Sequence, residues 1–551
     1  MKWRVPAERP LTPVPHREIA QRRGATPMAL FCLLVLWLLL AATALAEAPE
    51  PLLVAAASVE FGEDLGRNFG TLFEVRDASG RSTLGAGFPG LYNTGMRPDR
   101  FALQFYLRPA GWTPPVKELL PRAHPGAHQS VQDCDGRLFA WTYAGDRTVR
   151  SWDGEQWQEA PVLDPRRARF GDGFMRLGND LLVYQDGEVR YGERLVLPQA
   201  TEGAYSCFYY AQGHLCFYHT KSGDGGFTRI CAVPWRPGGP SVRMAQARRV
   251  ALRKVGETPF VWGQRGGEVL TVSNWGSIAV FDGTDWRVIR WPVENTSYQV
   301  YSAVNYYDDL LLGHYPTGNL MRYDGAEVTH LEGWPPVMAG VAGYAREAQS
   351  TMLYRGDLYV GVWPWAELWR YDRDRAEWSL VDRPFATPPP TDEFGHPFEE
   401  DIRLHNEARD PDLVINLWGQ RICGLATWRD SLMVATSAKG PMDRDANLPF
   451  LTDEVFEQYG RVWRYRLPGH LSAPLRYVEG PTRVRCELWP DRLRVLQDGV
   501  LRGEAPFDPQ LLKGLKPATI TWGRGLYGPT TCRLAKPRVT PPLSRSDPPE
   551  P

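Results

Sequence analysis

Short apolar runs punctuate the chain: LFAWTY from Leu138, VLTVSN from Val269, LLLGHY from Leu310 and LYVGVW from Leu358. Runs of this length, rich in branched and aromatic residues and bounded by Gly, Asp and Pro, predict strands. After each comes a second alternating stretch that closes on an aromatic residue and an Asp-containing turn. These read RTVRSWDGEQW over 147–157, SIAVFDGTDW over 277–286, GNLMRYDG over 318–325 and AELWRYDRDRAEW over 366–378. Three of the four place a Trp just beyond the turn, where it would open a partner strand, and the pattern predicts a β-hairpin. Weaker copies start at Leu181, Leu215 and Leu432. The seven starting points recur at roughly 45-residue intervals, the last stretched by insertions, which makes the chain a repeat protein.

A three- or four-stranded unit of this size exposes two apolar faces and two edges, so its copies must stack radially to bury them. The expected fold is all-β: a β-propeller of about seven blades over 131–470, with extra β segments from the N- and C-terminal regions. The repeat resembles the Kelch-type β-propeller family, whose blades carry a Tyr in the third strand and a Trp in the fourth. The matching residues are Trp152 with Trp157, Phe281 with Trp286, Tyr323, and Tyr371 with Trp378, within a resemblance running from 137 to about 467. The double glycine that this family carries after the second strand is missing from most copies. These aromatics are expected to pack between blades and not to stack on a ligand. In such propellers the loops between strands two and three, and those leading to the next blade, share one face, with the Asp turns on the other.

Outside the repeat, residues 47–130 and 471–535 are also β-rich. Either they complete the ring jointly or they pair into a small accessory sheet beside it. The last stretch, 536–551 (KPRVTPPLSRSDPPEP), has too few apolar residues to order itself and reads as a disordered tail. At the other end, the apolar run 28–46 follows Arg17, Arg22 and Arg23 and closes on Ala44-Leu45-Ala46, the pattern of a signal peptide spanning 1–46. The alternative is an uncleaved anchor, the one route by which this chain would touch a membrane. A secreted, periplasmic or cell-surface location follows. In an oxidising compartment Cys207 with Cys216 and Cys486 with Cys532 are candidate disulfides, against buried free thiols.

Charge narrows the partners. With 63 Lys+Arg against 64 Asp+Glu, net −1, there is no global field to hold a polyanion, so nucleic acid is excluded as a partner. Twenty-one Trp and 23 Tyr fit an all-β chain whose exposed rings can capture a glycan, a peptide or a protein. No nucleophile elbow, phosphate-binding glycine loop or H-E-x-x-H motif occurs.

Candidate chemistry concentrates in two long insertions expected on one face, 384–427 and 437–459, because long loops in a compact fold tend to be functional. The first holds His396, Glu399, Glu400, Asp401, His405, Glu407 and Asp410. His396, Glu399 and His405 are the candidate acid, base or metal ligands of a polysaccharide hydrolase or lyase, the rival to a purely binding role. The second insertion carries Asp443, Asp445 and Asn447 at alternate positions with Glu454 at the twelfth, the ligand spacing of a calcium loop, although Leu448 and Pro449 replace its turn residues. On the same face Trp275, Tyr315, Trp365, Lys439 and Arg444 are candidate ligand contacts. The reading favoured is an exported propeller that binds a glycan, peptide or protein there. N-terminal sequencing of the exported product should begin at Glu47; a start upstream of residue 28 would make the apolar run an anchor.

Overall fold

The computed structural model describes residues 50–93, 98–169, 171–293, 298–409 and 413–545. The segment 1–46 expected to be a signal peptide, Asp410 and the last six residues lie outside the described residues. Among the described residues no helix is long and apolar enough to cross a membrane.

Among the described residues the repeats form seven antiparallel sheets: six are four-stranded meanders, the fifth of them extended by one strand from the N-terminal segment, and the seventh repeat contributes three strands. Their first strands are Ser130–Cys134, Gly173–Leu177, Ala204–Ala211, Pro259–Arg265, Gln299–Tyr306, Glu347–Tyr354 and Arg421–Trp428. The apolar runs that define the repeat are the second strands, buried on both faces between neighbouring sheets. The first insertion therefore ends earlier than expected, at 420: its final residues, from Arg421, are the first strand of the seventh sheet.

The signature residues act locally. Trp157 pairs across the hairpin with Trp152, Trp286 with Phe281 and Trp378 with Tyr371. Their ring centroids lie 5.2, 5.1 and 5.0 Å apart, each pair worth about 0.5–1.5 kcal/mol beyond its buried area. Between the paired strands, the Asp282 carboxylate accepts the backbone N–H groups of Thr284 and Asp285 at 2.7 and 2.9 Å. Asp153 and Asp324 do the same in their own turns. These backbone donors hold all three carboxyls below the usual carboxylate range. Aromatic-Asp is thus a turn-and-zipper device, which explains its recurrence without any ligand.

Neighbouring sheets meet chiefly in and around their first strands, the arrangement of propeller blades. Gln132 Nε2 donates to Phe174 O at 2.9 Å, and Tyr184 packs on Phe208. Tyr209 Oη donates to Gln264 Oε1, and Asn305 Nδ2 to Gln264 O. Ser302 Oγ donates to Ala348 O and Ser350 Oγ to Ile422 O. From the seventh sheet, Cys423 Sγ donates to Gln129 O, at the entrance of the first. Gly361 permits one close approach, since a Cβ there would stand 2.8 Å from the Ile422 side chain.

The terminal segments take both of the roles open to them. Val116–Leu119 supplies the missing fourth strand of the seventh sheet, pairing with Val462–Arg466. The remainder builds two further sheets of five and six strands that mix N- and C-terminal segments. Arg533–Thr540 is a strand of the first, pairing with Leu53–Glu60, and Ser544–Arg545 joins the second. Most of the stretch expected to be a disordered tail is therefore ordered: it gains its hydrogen bonds from an existing sheet edge and needs little apolar surface of its own. Neither expected disulfide is present among the described residues: Cys216 faces Tyr209 across the hairpin and not Cys207, and Cys486 and Cys532 are each buried without a disulfide.

This terminal module covers one whole face of the stack. The first turn of every sheet reaches it: Asp135 N–H to Asp99, Arg176 to Asp99, Gly213 N–H to Asp64, Asn68 to Gln264 O, Tyr307 N–H to Leu526 O, Arg108 to Asp357, and Ser472 N–H to Arg429 O. The Arg108 guanidinium, 6% exposed, also meets Asp372 and Asp374. Removing one partner from a buried cluster strands the other charges. Arg108→Met should lower unfolding free energy by about 3–5 kcal/mol in urea titrations; a loss under about 1 kcal/mol would make the cluster incidental to docking.

His470 of the module accepts the Arg355 N–H through Nδ1, a bond that requires a ring nitrogen without its proton. Burial pushes its pKa down to about 3. In the unfolded chain histidine titrates near 6.5, so below that pH the unfolded state takes up a proton that the native state refuses. The stability is present above about pH 6.5 and falls toward the folded value, by about 1.4 kcal/mol per pH unit for this group. His470→Gln should flatten the acid limb of stability between about pH 4 and pH 6 by that slope; an unchanged limb would assign acid sensitivity to the other buried histidines.

Candidate functional site

With one face occupied, the opposite face carries the long connections, 383–420 and 438–461. At its centre the heads of the first strands surround a cavity of about 380 Å³. Trp141, Tyr143, Phe260 and Tyr301 form its walls, with Phe260 and Tyr301 stacked at 5.2 Å and 9°. His128, Gln349, Arg421, Lys439, Arg169 and Asp172 supply the polar lining.

The floor is built from the N-terminal segment. Leu91–Asn93 pairs with the inner edge of Gln299–Tyr306, Asn93 lying opposite Ser302. The Asn93 amide donates to Thr351 O and accepts the Thr351 N–H, so it bridges two first strands. Tyr92 packs against Tyr209 of a third. These contacts lie one or two residues below the cavity residues Tyr301 and Gln349, so that among the described residues the cavity is a cup with Leu91–Asn93 beneath it.

Its charge is uneven. Arg421 pairs with Glu347 at 2.9 Å, behind the lining. Burial alone would lower the Arg421 pKa, but the Glu347 carboxylate overrides it and leaves it raised. Lys439 stands 5.5 Å from the Trp363 ring, and among the described residues no carboxylate lies within ion-pair distance of it. Burial lowers its pKa, with Glu347 opposing. Burial and the Arg421 charge push His128 down to about 3, so it is neutral in the site. Burial lifts Asp172 to about 6, against the N–H groups of Arg169 and Asp186 that it accepts. Arg169 pairs with Asp186 at 2.8 Å. The cup is therefore aromatic-walled with an excess of cationic groups.

Of the five expected ligand contacts, Lys439 alone lines this cup. Trp275 is 38% exposed on the rim of the fourth sheet, with Lys254 over its ring at 4.0 Å. Tyr315 packs toward Trp363. Trp365, expected as an exposed ring, is 1% exposed and stacks beneath Arg383, because the first insertion folds over it. Arg444 is spent inside its own insertion, on Leu451 O and Asp453.

The acid, base and metal candidates are likewise separated. The first insertion contains a helix, Glu399–Ala408, and Glu399 accepts the N–H groups of Gly395 and His396 at its start. His396 stacks on Trp363 at 4.7 Å, its pKa lowered by burial, whereas His405 meets the Arg409 guanidinium. In the second insertion Asp445 accepts from Asn447 N–H and its amide, closing a turn, and Glu454 sits in the short helix Asp453–Phe456. The Asp443 carboxylate lies toward the Gly126 turn. Among the described residues no group of three or more His, Cys, Asp or Glu is placed to hold a metal ion. The two insertions do meet, with His396 of one and Lys439 of the other both resting on Trp363.

The residues missed, Trp141, Tyr143, Phe260, Tyr301, Gln349 and Arg421, sit in or beside the first strands or at the ends of the second. A signal was present: Gln299-x-Tyr301, Glu347-x-Gln349 and Arg421-x-Cys423 put polar or aromatic residues at alternate positions ahead of each apolar second strand.

No family model matches the sequence, and no curated protein does. Among solved structures the chain is similar to the extracellular domain of a hybrid two-component system from B. thetaiotaomicron, at 11% identity and a TM-score of 0.37, over 64% of this chain and 40% of that one. It is similar to BamB from Moraxella catarrhalis, at 12% identity and 0.33, over 64% and 97%. A third is YCF48 bound to D1 peptide, at 11% and 0.34, over 65% and 98%. The chain spans about 40% of the length of the first of these. With TM-scores below 0.5 these likenesses carry no argument, and the architecture rests on the strand topology.

The Arg421–Glu347 pair underlies the cup. Glu347→Gln or Arg421→Met alone should each cost about 3–5 kcal/mol of stability, and the two together markedly less than their sum. Additive losses in urea unfolding would mean the two charges are not coupled.

Proposed function

We propose that this protein is an exported, closed seven-bladed propeller that binds a peptide or protein partner at the cup on its insertion-bearing face. The ring reading is supported by the series of contacts between neighbouring sheets, which returns from Cys423 to Gln129. It is supported too by the strand Val116–Leu119, with which the N-terminal segment latches the seventh sheet. Export rests on the apolar run 28–46 and its small-residue end.

One observation carries the binding role: the terminal module occupies every first turn on one face, leaving an aromatic, cationic cup as the concave feature at the centre of the other. Flat rings that project little conformational entropy, beside a few fixed polar groups, suit capture of an extended polypeptide. A glycan would use the same rings. The hydrolase or lyase alternative draws no support from His396, Glu399 and His405, each of which is engaged with a different partner.

Immobilised mature protein offered a random peptide library should retain a restricted set of sequences. Trp141→Ala with Phe260→Ala should reduce retention on the order of tenfold or more, with melting behaviour as the control for folding. Equal retention by the variant would move the site elsewhere; retention of oligosaccharides and no peptide would replace the reading with glycan binding.

A further inference from the structure

The cup has features that distinguish what part of a polypeptide it takes. Building on the peptide-binding reading, we infer that its occupant is the C-terminal end of a chain, whose terminal carboxylate is anchored by Lys439 and Arg421.

Three observations converge on this. The first is charge: Lys439 brings an ammonium with no carboxylate at ion-pair distance among the described residues, and Arg421 lines the same cup with its Nε lacking a partner. The Glu347 carboxylate orients Arg421 from behind through Nη2 without filling the cavity. Two cationic donors converging on a partly desolvated space favour an anion, and a carboxylate is the anion that a polypeptide carries at its end.

The second is the set of unpartnered polar atoms. Gln349 is 3% exposed, and its Oε1 accepts nothing within the protein; His128 Nδ1 is unpartnered as well. A buried polar atom left unmade costs about 1–3 kcal/mol, so its persistence beside a cavity marks a bond completed by something else. A carbonyl acceptor lining the same cavity as two cations is the pattern that a chain end requires: the carboxylate meets the cations while the last peptide N–H donates to Gln349 Oε1.

The third is depth. Among the described residues, Asn93 and its strand stand directly below Tyr301 and Gln349. A channel open at both ends could pass the middle of a chain, whereas a cup closed beneath admits an end. Its volume of about 380 Å³ is at the lower range of small-ligand sites, enough for a short terminal segment and too small for a folded domain. The parallel Phe260–Tyr301 pair then offers a flat wall for the side chain of the last or penultimate residue.

The test uses N-acetylated random heptapeptides synthesised in two forms, with a free C-terminal carboxylate and with a carboxamide, passed over the mature protein. Enrichment should be confined to the free acids, by about tenfold or more, should weaken in high salt, and should be lost in Lys439→Met and largely kept in Lys439→Arg. Thermal melts of both variants separate loss of the cation from loss of folding. Equal enrichment of acids and amides would overturn the terminal-carboxylate anchor while leaving peptide binding intact. Enrichment of amides rich in Asp or Glu would overturn it in favour of a side-chain carboxylate. Failure to retain any peptide in either form would overturn the peptide reading itself, and retention of uronic-acid oligosaccharides in that case would identify the anion as a sugar acid.

Discussion

Docking of the terminal module onto the first turns of all seven sheets is the constraint on which the rest of this structure depends. A meander of four short strands cannot bury its faces alone, so each sheet relies on its neighbours. The turns that join first to second strands add a further demand, because their backbone amides and carbonyls converge near the centre of the stack. Asp64, Asp99, Arg108 and Asn68 satisfy that demand from the module side. A module built from both ends of the chain thereby holds seven repeats in mutual register and leaves the opposite face of the stack free.

The module also shapes that free surface from beneath. By sending Leu91–Asn93 along the inner edge of the fifth sheet, it turns what would be a through-channel into a cup. The Asn93 amide, with both its donor and its acceptor used on Thr351, fixes the depth of the floor. The two insertions complete the rim by packing on Trp363, which is fully buried beneath His396 and beside Lys439. Stability and binding thus share parts: Arg421 and Glu347 tie the sixth sheet to the seventh and simultaneously charge the cup.

Much of the architecture was legible in the sequence because it is written in local, periodic terms. Hairpin pairing of Trp152 with Trp157 or Phe281 with Trp286 needs residues only a few positions apart, and the Asp turn between them is satisfied by its own next amides. Apolar second strands are equally local, since burial on both faces demands an unbroken apolar run wherever the strand falls. The same locality explains why the aromatic-Asp motif recurs: its Asp carboxylates and its paired rings are spent within their own hairpin. Lys439 was found because it lies in an insertion, which length alone reveals.

What the sequence determined by itself was the repeat, its all-β character and the face on which long loops gather, because strand period, turn chemistry and spacing are properties of neighbouring residues. The tertiary structure alone decided the site. His128, Phe260, Tyr301, Gln349 and Arg421 belong to five different sheets and become neighbours only where the first strands converge. It also decided the roles of the ends, ordering 536–545 against existing sheet edges and threading 91–93 under the cup. Both outcomes depend on contacts across hundreds of residues, which carry no periodicity and so leave no local trace.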